Sequence, residues 1–226
     1  MGTRHVIAVV KDGEYKLANY GQWDGYPEGQ SISILAHLRK LGRSRFEKGL
    51  ERLRWATGED YESMDAHIQK ADVNSMDFEE REKWFEEHYP NLIRDTGADI
   101  IPFIESLADR KEGEKVPVGN ALEFVADCCC EWVYVIDLDR NTLEVYNGHL
   151  RHRPIERSDR FFFLIDKVEE AGEYPPKVTA VFSLDDLPTD EELLEQCPDI
   201  YEDDLVDDGA PAPFVRGNAL LKRITG

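Results

Sequence analysis

The chain has 226 residues, with 27 Lys and Arg against 47 Asp and Glu, and a formal net charge of −20. Such a charge repels phosphate backbones and excludes nucleic acid as an expected partner. The length suffices to bury a core without disulfides or a structural metal.

The four cysteines, Cys128, Cys129, Cys130 and Cys197, fit neither a disulfide framework nor a paired zinc motif. Reduced thiols in the cytoplasm are expected, with no metal site. The chain shows no signal-peptide stretch and no run long enough to cross a bilayer, so no membrane partner is expected. A myristoylation reading of Met1-Gly2 fails because Val6 stands where that motif needs Ser or Thr.

In chain order, His5 to Val10 and Tyr15 to Tyr20 read as two strands joined by a tight turn at Asp12-Gly13. The unbroken apolar run Val6 to Val10 predicts a strand covered on both faces and central in its sheet. After the Gly- and Pro-rich connection 21–29, Ser31 is placed to cap a helix carrying Ile32, Leu35, Leu38 and Leu41. Phe46, Leu50 and Leu53 mark a second helix. Trp84 and Phe85 mark a third, starting near Ser75 or Asp77. Ile100, Ile101, Ile104 and Leu107 mark a fourth, with Pro102 tolerated in its first turn. Residues 31–126 thus read as mainly helical, interrupted by the charged loop 110–115.

The period then switches to two. Trp132 to Leu138 and Leu143 to Tyr146 form a second predicted hairpin, turning at Asp139 to Asn141. Phe161 to Ile165 and Val178 to Phe182 read as strands, and Asp190 to Gln196 as a helix capped by Thr189. Strands segregated from helices, with hairpin connections, give an α+β class: antiparallel strands at both ends of a helical block, in one domain over 1–198. Residues 199–226 form an acidic, then Gly- and Pro-rich tail, with Phe214 and Leu220 as candidate anchors. Signatures for dinucleotide, P-loop, nucleophile-elbow and zinc-protease sites are missing, so no cofactor is expected.

Two segments, Tyr20-Gly-Gln-Trp23-Asp24-Gly25-Tyr26-Pro27-Glu-Gly29 and Glu131 to Asp139 with Leu143 to Tyr146, carry a resemblance. They resemble uncharacterised proteins of fungi, bacteria and bacteriophages with a Trp-Asp-x-Tyr-Pro motif after the first hairpin. That resemblance implies homology without an activity. More loosely, the element order resembles the layered αββα arrangement of N-terminal nucleophile hydrolases, which would direct attention to Thr3. The sequence departs from that pattern, since removing Met1 would expose Gly2 rather than a nucleophile.

The loop Gln22, Trp23, Asp24, Gly25, Tyr26 combines aromatics, an amide and a carboxylate suited to a small polar or cationic group. Asp24 is its candidate general base or anion, and Gln22, Trp23, Tyr26 and Arg4 are its candidate binding residues. A structural turn is the competing reading. Cys130 and Glu131, at the entrance to the second hairpin, are further catalytic candidates, with His149 or His152 as a base for the thiol. Packing is the competing role for Cys130. The basic run Arg151, His152, Arg153, Arg157 and Arg160 is expected to pair with the acidic C-terminal segment. The function expected is a small-molecule enzyme acting at an amide or acyl centre. The alternative is a non-catalytic binding or regulatory protein using the same loop, with a second copy or a basic protein as further candidate partners.

Overall fold

The computed structural model describes residues 2–168, 172–198 and 214–215. The first hairpin is β1 (His5–Lys11) and β2 (Glu14–Gly21). It turns at Asp12 and Gly13, whose φ values of 57° and 73° are the left-handed pair that a two-residue hairpin loop requires. The Asp139 carboxylate holds that turn by accepting from the Asp12 and Gly13 amides at 2.9 and 2.8 Å.

The second hairpin is β5 (Trp132–Asp137) and β6 (Thr142–Asn147), followed in the sheet by β7 (Lys177–Ser183) and β8 (Phe214–Val215). The strand order is β2-β1-β5-β6-β7-β8. Both hairpins therefore share one sheet and β1 is internal, as the apolar run predicts. They join through a parallel contact, β1 against β5 with His5 opposite Trp132. The hairpin pattern alone gives no indication of that join. Phe214 lies in β8, parallel to β7, whereas Leu220 falls outside the described residues.

Alternation sends Ile7, Val9, Trp132, Tyr134 and Ile136 into one core and Val6, Ala8, Val10, Val133 and Val135 into another. The first core is closed by α1 (Ile32–Leu38), α2 (Arg43–Leu50), α5 (Ile100–Ser106) and α6 (Asp190–Gln196). The second is closed by the short turns Glu123–Ala126 and Phe162–Lys167. The architecture is mixed α+β. Its described strands form one six-stranded sheet and the two-stranded pair β3 (Leu53–Trp55) and β4 (Val116–Val118), rather than two large stacked sheets.

Several local expectations change. Ser31 is no cap: its backbone is already helical, and its hydroxyl donates to the Pro27 carbonyl at the end of a π-helical turn, Pro27–Ser31. Leu53 leaves the helix of Phe46 and Leu50, because the chain after Leu50 pairs in parallel with residues more than sixty positions away. Phe161 to Ile165 is a tight turn rather than a strand. Phe161 and Leu164, three apart, face the core while Phe163 points outward, a spacing too short to read as periodic. The helix α3 (Gly58–Lys70) buries no residue and so has little apolar signature, although Thr57 and Asp60 form its capping box. The helix α4 (Phe78–His88) starts at Asp77, one of the two expected starting points, whose side chain caps it by accepting from Glu80 N. It is tied to α3 by a 2.9 Å hydrogen bond between His67 Nδ1 and the Tyr89 hydroxyl, with Trp84 stacked on His88.

Arg151 and Arg160 of the basic run have partners among the described residues, and the expected pairing with the acidic tail falls outside them, since residues from 199 onward lie outside the described set except 214–215. Arg151 is buried and donates to the carbonyls of Val125, Ala126, Cys130 and Tyr174. Arg160 donates to Glu144 twice, at 2.6 Å, and to Asp137, while Tyr146 donates to Glu144 at 2.5 Å. Burial opposes the Arg160 charge, but the hydrogen bonds and charges of Glu144 and Asp137 overcome that cost and hold the guanidinium firmly protonated. Arg160→Ala should therefore strand two buried carboxylates and lower unfolding stability by about 3 to 5 kcal/mol. Arg140→Ala removes a half-exposed partner 3.7 to 3.8 Å from the same carboxylates and should cost less than about 1 kcal/mol. Urea unfolding of both variants checks the contrast, and equal losses would refute it.

Candidate functional site

β1 begins at His5, which shares its side of the sheet with Ile7 and Val9 but carries an imidazole where they carry hydrocarbon. The ring is fully buried, and the Thr3 backbone is the hydrogen-bonding group that acts on it. Gly21, across the ladder from His5, and Gly25 lie against it, and a Cβ at Gly21 would enter the ring itself. Tyr134 meets the ring edge-on at 6.3 Å. Burial lowers the His5 pKa from 6.5 to about 4, with the Thr3 backbone and the Asp24 carboxylate offsetting part of the shift. The imidazole is therefore neutral at physiological pH.

His5 forms part of the wall of a cleft of about 1000 Å³. The Trp-Asp loop supplies Trp23, Asp24 and Gln30, α4 supplies Phe78, Arg81, Glu82, Phe85 and Glu86, and the segment 92–97 supplies the rest. The loop is held from several sides. Gln22 N donates to Arg94 O, Gly25 N to Thr3 O, Gln30 N to Asp24 O, each at 3.0 Å, and the Tyr134 hydroxyl to Gly25 O at 2.8 Å. Trp23 Nε1 donates to Asp95 at 2.8 Å, and Gln30 Oε1 accepts from Ala98 N at 2.8 Å. Asp24 has a φ of 51°, a left-handed conformation uncommon outside glycine, Asn and Asp, and accepts from the Tyr26 hydroxyl at 3.2 Å. A carboxylate is thus fixed at the cleft wall beside a neutral imidazole.

The other sequence candidates lie differently. Gln22 accepts from the Tyr20 hydroxyl at 2.6 Å and, like Tyr26, frames the loop. Thr3 meets the loop through its carbonyl. Arg4 and Glu131 engage each other: Glu131 accepts from the Arg4 amide at 3.1 Å, and the side chains approach to 3.7 Å. They cross-link the starts of β1 and β5 outside the cleft lining. Cys130 is fully buried, donates to Trp132 O at 3.6 Å, and its thiol is pushed up to about 12 by burial, against the pull of Arg151. Its surroundings are those of a packing residue. Asp127, Cys128 and Cys129 stand close enough together to hold an ion, and all three are at least partly exposed.

His5 and the α4 residues were not candidates from sequence. A histidine at a core-facing position of an otherwise apolar strand was the available signal for the first. Nothing local links α4 to the first hairpin.

The folded pKa of His5 lies below its unfolded value, so as pH falls the unfolded chain takes up the proton first. The stability contributed by the neutral ring is full above about pH 6.5 and drains away toward pH 4, by about 3 kcal/mol in all. Urea titrations should show wild type losing stability more steeply than His5→Gln across that window. Parallel curves would mean that the imidazole is not held neutral.

None of the described helices is long and apolar enough to cross a membrane. No protein-family model, curated protein or solved structure matches the chain.

Proposed function

We propose that the chain is a small-molecule enzyme of the amide or acyl class, a hydrolase or transferase, working in the cleft beside His5 and Asp24. The observation that carries this reading is the His5 imidazole, buried and neutral in the wall of a large cleft beside the Asp24 carboxylate. A base must arrive at the reaction unprotonated, and burial keeps this imidazole so. The described residues lining the cleft include no Ser, Thr or Cys, which favours water as the attacking group over a covalent intermediate on the protein.

In the step proposed, a His5 nitrogen takes a proton from water as the water oxygen bonds to the substrate carbonyl carbon. The bond to the leaving amine or alkoxide then breaks, and His5 returns the proton to it. Asp24 carries the negative charge that orients a cationic substrate group or steadies the imidazolium formed in that step. The half-exposed indole of Trp23 offers a flat face for the remainder of the substrate.

A second reading, a non-catalytic binder using the same loop, is favoured by the exposure of Trp23 and Phe78 at 48% and 63%, an aromatic pair open to a partner.

Chromogenic p-nitroanilides and p-nitrophenyl esters of small acids and amino acids separate the two readings. Wild type should turn over at least one class, and Asp24→Asn should reduce kcat/KM about 100-fold, or about 3 kcal/mol. Its melting temperature should hardly move, because Asn tolerates the same left-handed backbone. Undiminished rates in Asp24→Asn would remove the assigned site. Saturable quenching of Trp23 fluorescence without turnover would favour the binder. Intact-mass measurement of active protein addresses Thr3 separately. Activity with Gly2 retained is the expected result and ends any role for Thr3 as an N-terminal nucleophile.

A further inference from the structure

Asp127, Cys128 and Cys129 directly follow the short turn Glu123–Ala126 that helps to close the second core. Cys130 N donates to the Asp127 carbonyl at 2.9 Å, which closes a tight turn with Cys128 and Cys129 at its two corners. In a strand, adjacent side chains point to opposite faces. This turn instead brings the two thiols together, Sγ to Sγ at 3.9 Å. The Asp127 carboxylate folds over the same turn. Its Oδ1 accepts from Cys129 N at 2.7 Å, and its Oδ2 makes no hydrogen bond among the described residues. One ligand atom from each of the three residues lies within 4.8 Å of the other two. Solvent reaches all three, and Asp127 and Cys128 line a cavity of about 340 Å³.

A tetrahedral zinc ion bound at about 2.3 Å by two thiolates sets their sulfurs about 3.8 Å apart. The Cys128 and Cys129 sulfurs stand at that separation. Two sulfur donors select against Mg²⁺ and Ca²⁺, which take oxygen, and the carboxylate suits divalent zinc better than monovalent copper. The motifs that made zinc unexpected from the sequence space their thiols two or more residues apart. Here the turn does the work of that spacing. The segment is also held in place, because Arg151 donates to the carbonyls of Val125, Ala126 and Cys130 on either side of the three residues. The Arg151 charge interacts with Cys128 and Asp127. Together with the two charges of a zinc ion, it balances two thiolates and a carboxylate.

We propose that Asp127, Cys128 and Cys129 form a zinc site, with both thiolates and one carboxylate oxygen as ligands and the fourth position taken by water or an incoming ligand. None of the three lines the His5 and Asp24 cleft, so the site stands apart from the chemistry there.

The test titrates the full chain, its thiols kept reduced by a phosphine, with Zn²⁺ in competition with a chromophoric chelator, and with Co²⁺ as the spectroscopic probe. Zn²⁺ should bind with a Kd below about 10 μM. Co²⁺ should give a near-ultraviolet thiolate-to-metal charge-transfer band that Zn²⁺ abolishes and excess Mg²⁺ or Ca²⁺ leaves intact. Cys128→Ser and Cys129→Ser should each weaken Zn²⁺ binding about 100-fold or more and remove most of the band. Asp127→Asn keeps an acceptor for the Cys129 amide, so the turn survives, and should weaken binding about tenfold. Circular dichroism checks that each variant folds, and the substitutions at exposed Asp127 and Cys128 decide if Cys129→Ser does not. A Kd above about 10 μM, a missing charge-transfer band, or wild-type affinity in Cys128→Ser would each overturn the proposal, the last by placing the ion at other ligands.

Discussion

The parallel pairing of β1 with β5 is the constraint from which the rest follows. It buries β1 between two neighbours and on both faces, so its side chains must be apolar wherever they point. Val6 to Val10 meet that demand. His5, at the start of the same strand, does not, and the surroundings are shaped to admit it. Gly21 and Gly25 carry no side chain that would collide with the ring, and Tyr134 meets the imidazole in a T-shaped contact. The result is a titratable group held in a low-dielectric wall, where the charged form is expensive.

The same pairing sets the stage for the Trp-Asp loop. β2 ends at Gly21, and the chain must cross the start of β1 before it can enter α1. It does so by hydrogen-bonding Gly25 to the Thr3 carbonyl and by placing Asp24 in a left-handed conformation. A loop anchored to the first strand on one side and to residues 94–98 on the other behaves as part of the scaffold. Catalytic or binding groups carried on such a loop keep their geometry without help from a ligand.

On the opposite face the sheet is covered with polar groups as well as hydrocarbon. Asp137 and Glu144 point from neighbouring strands toward Arg160, and Tyr146 completes the cluster. The chain from Arg151 to Lys167 has little regular structure, so these bonds and the carbonyl contacts of Arg151 fix where it lies. Buried charges of this kind are costly to leave alone, which makes them effective at specifying one arrangement over another.

By itself the sequence determined what is local. The two hairpins, the internal position of β1, the Thr189 cap, the start of α4 near Asp77, and the placing of Trp23 and Asp24 on a constrained loop all follow from periodicity and turn chemistry within short windows. Only the tertiary structure decided what depends on distant pairing. Leu53 to Trp55 became a strand because Val116 to Val118 lay alongside, and Phe161 to Ile165 became a turn because the sheet beneath needed Phe161 and Leu164 but not Phe163. His5 came to line a cleft because Asp24, α4 and Arg94, up to ninety residues away, line the same space. Cys130 came to lie away from the cleft lining, with its thiol donating to the Trp132 carbonyl. Local propensity acts over a few residues, whereas a cleft is a relation among segments whose separation along the chain carries no trace of their closeness in space.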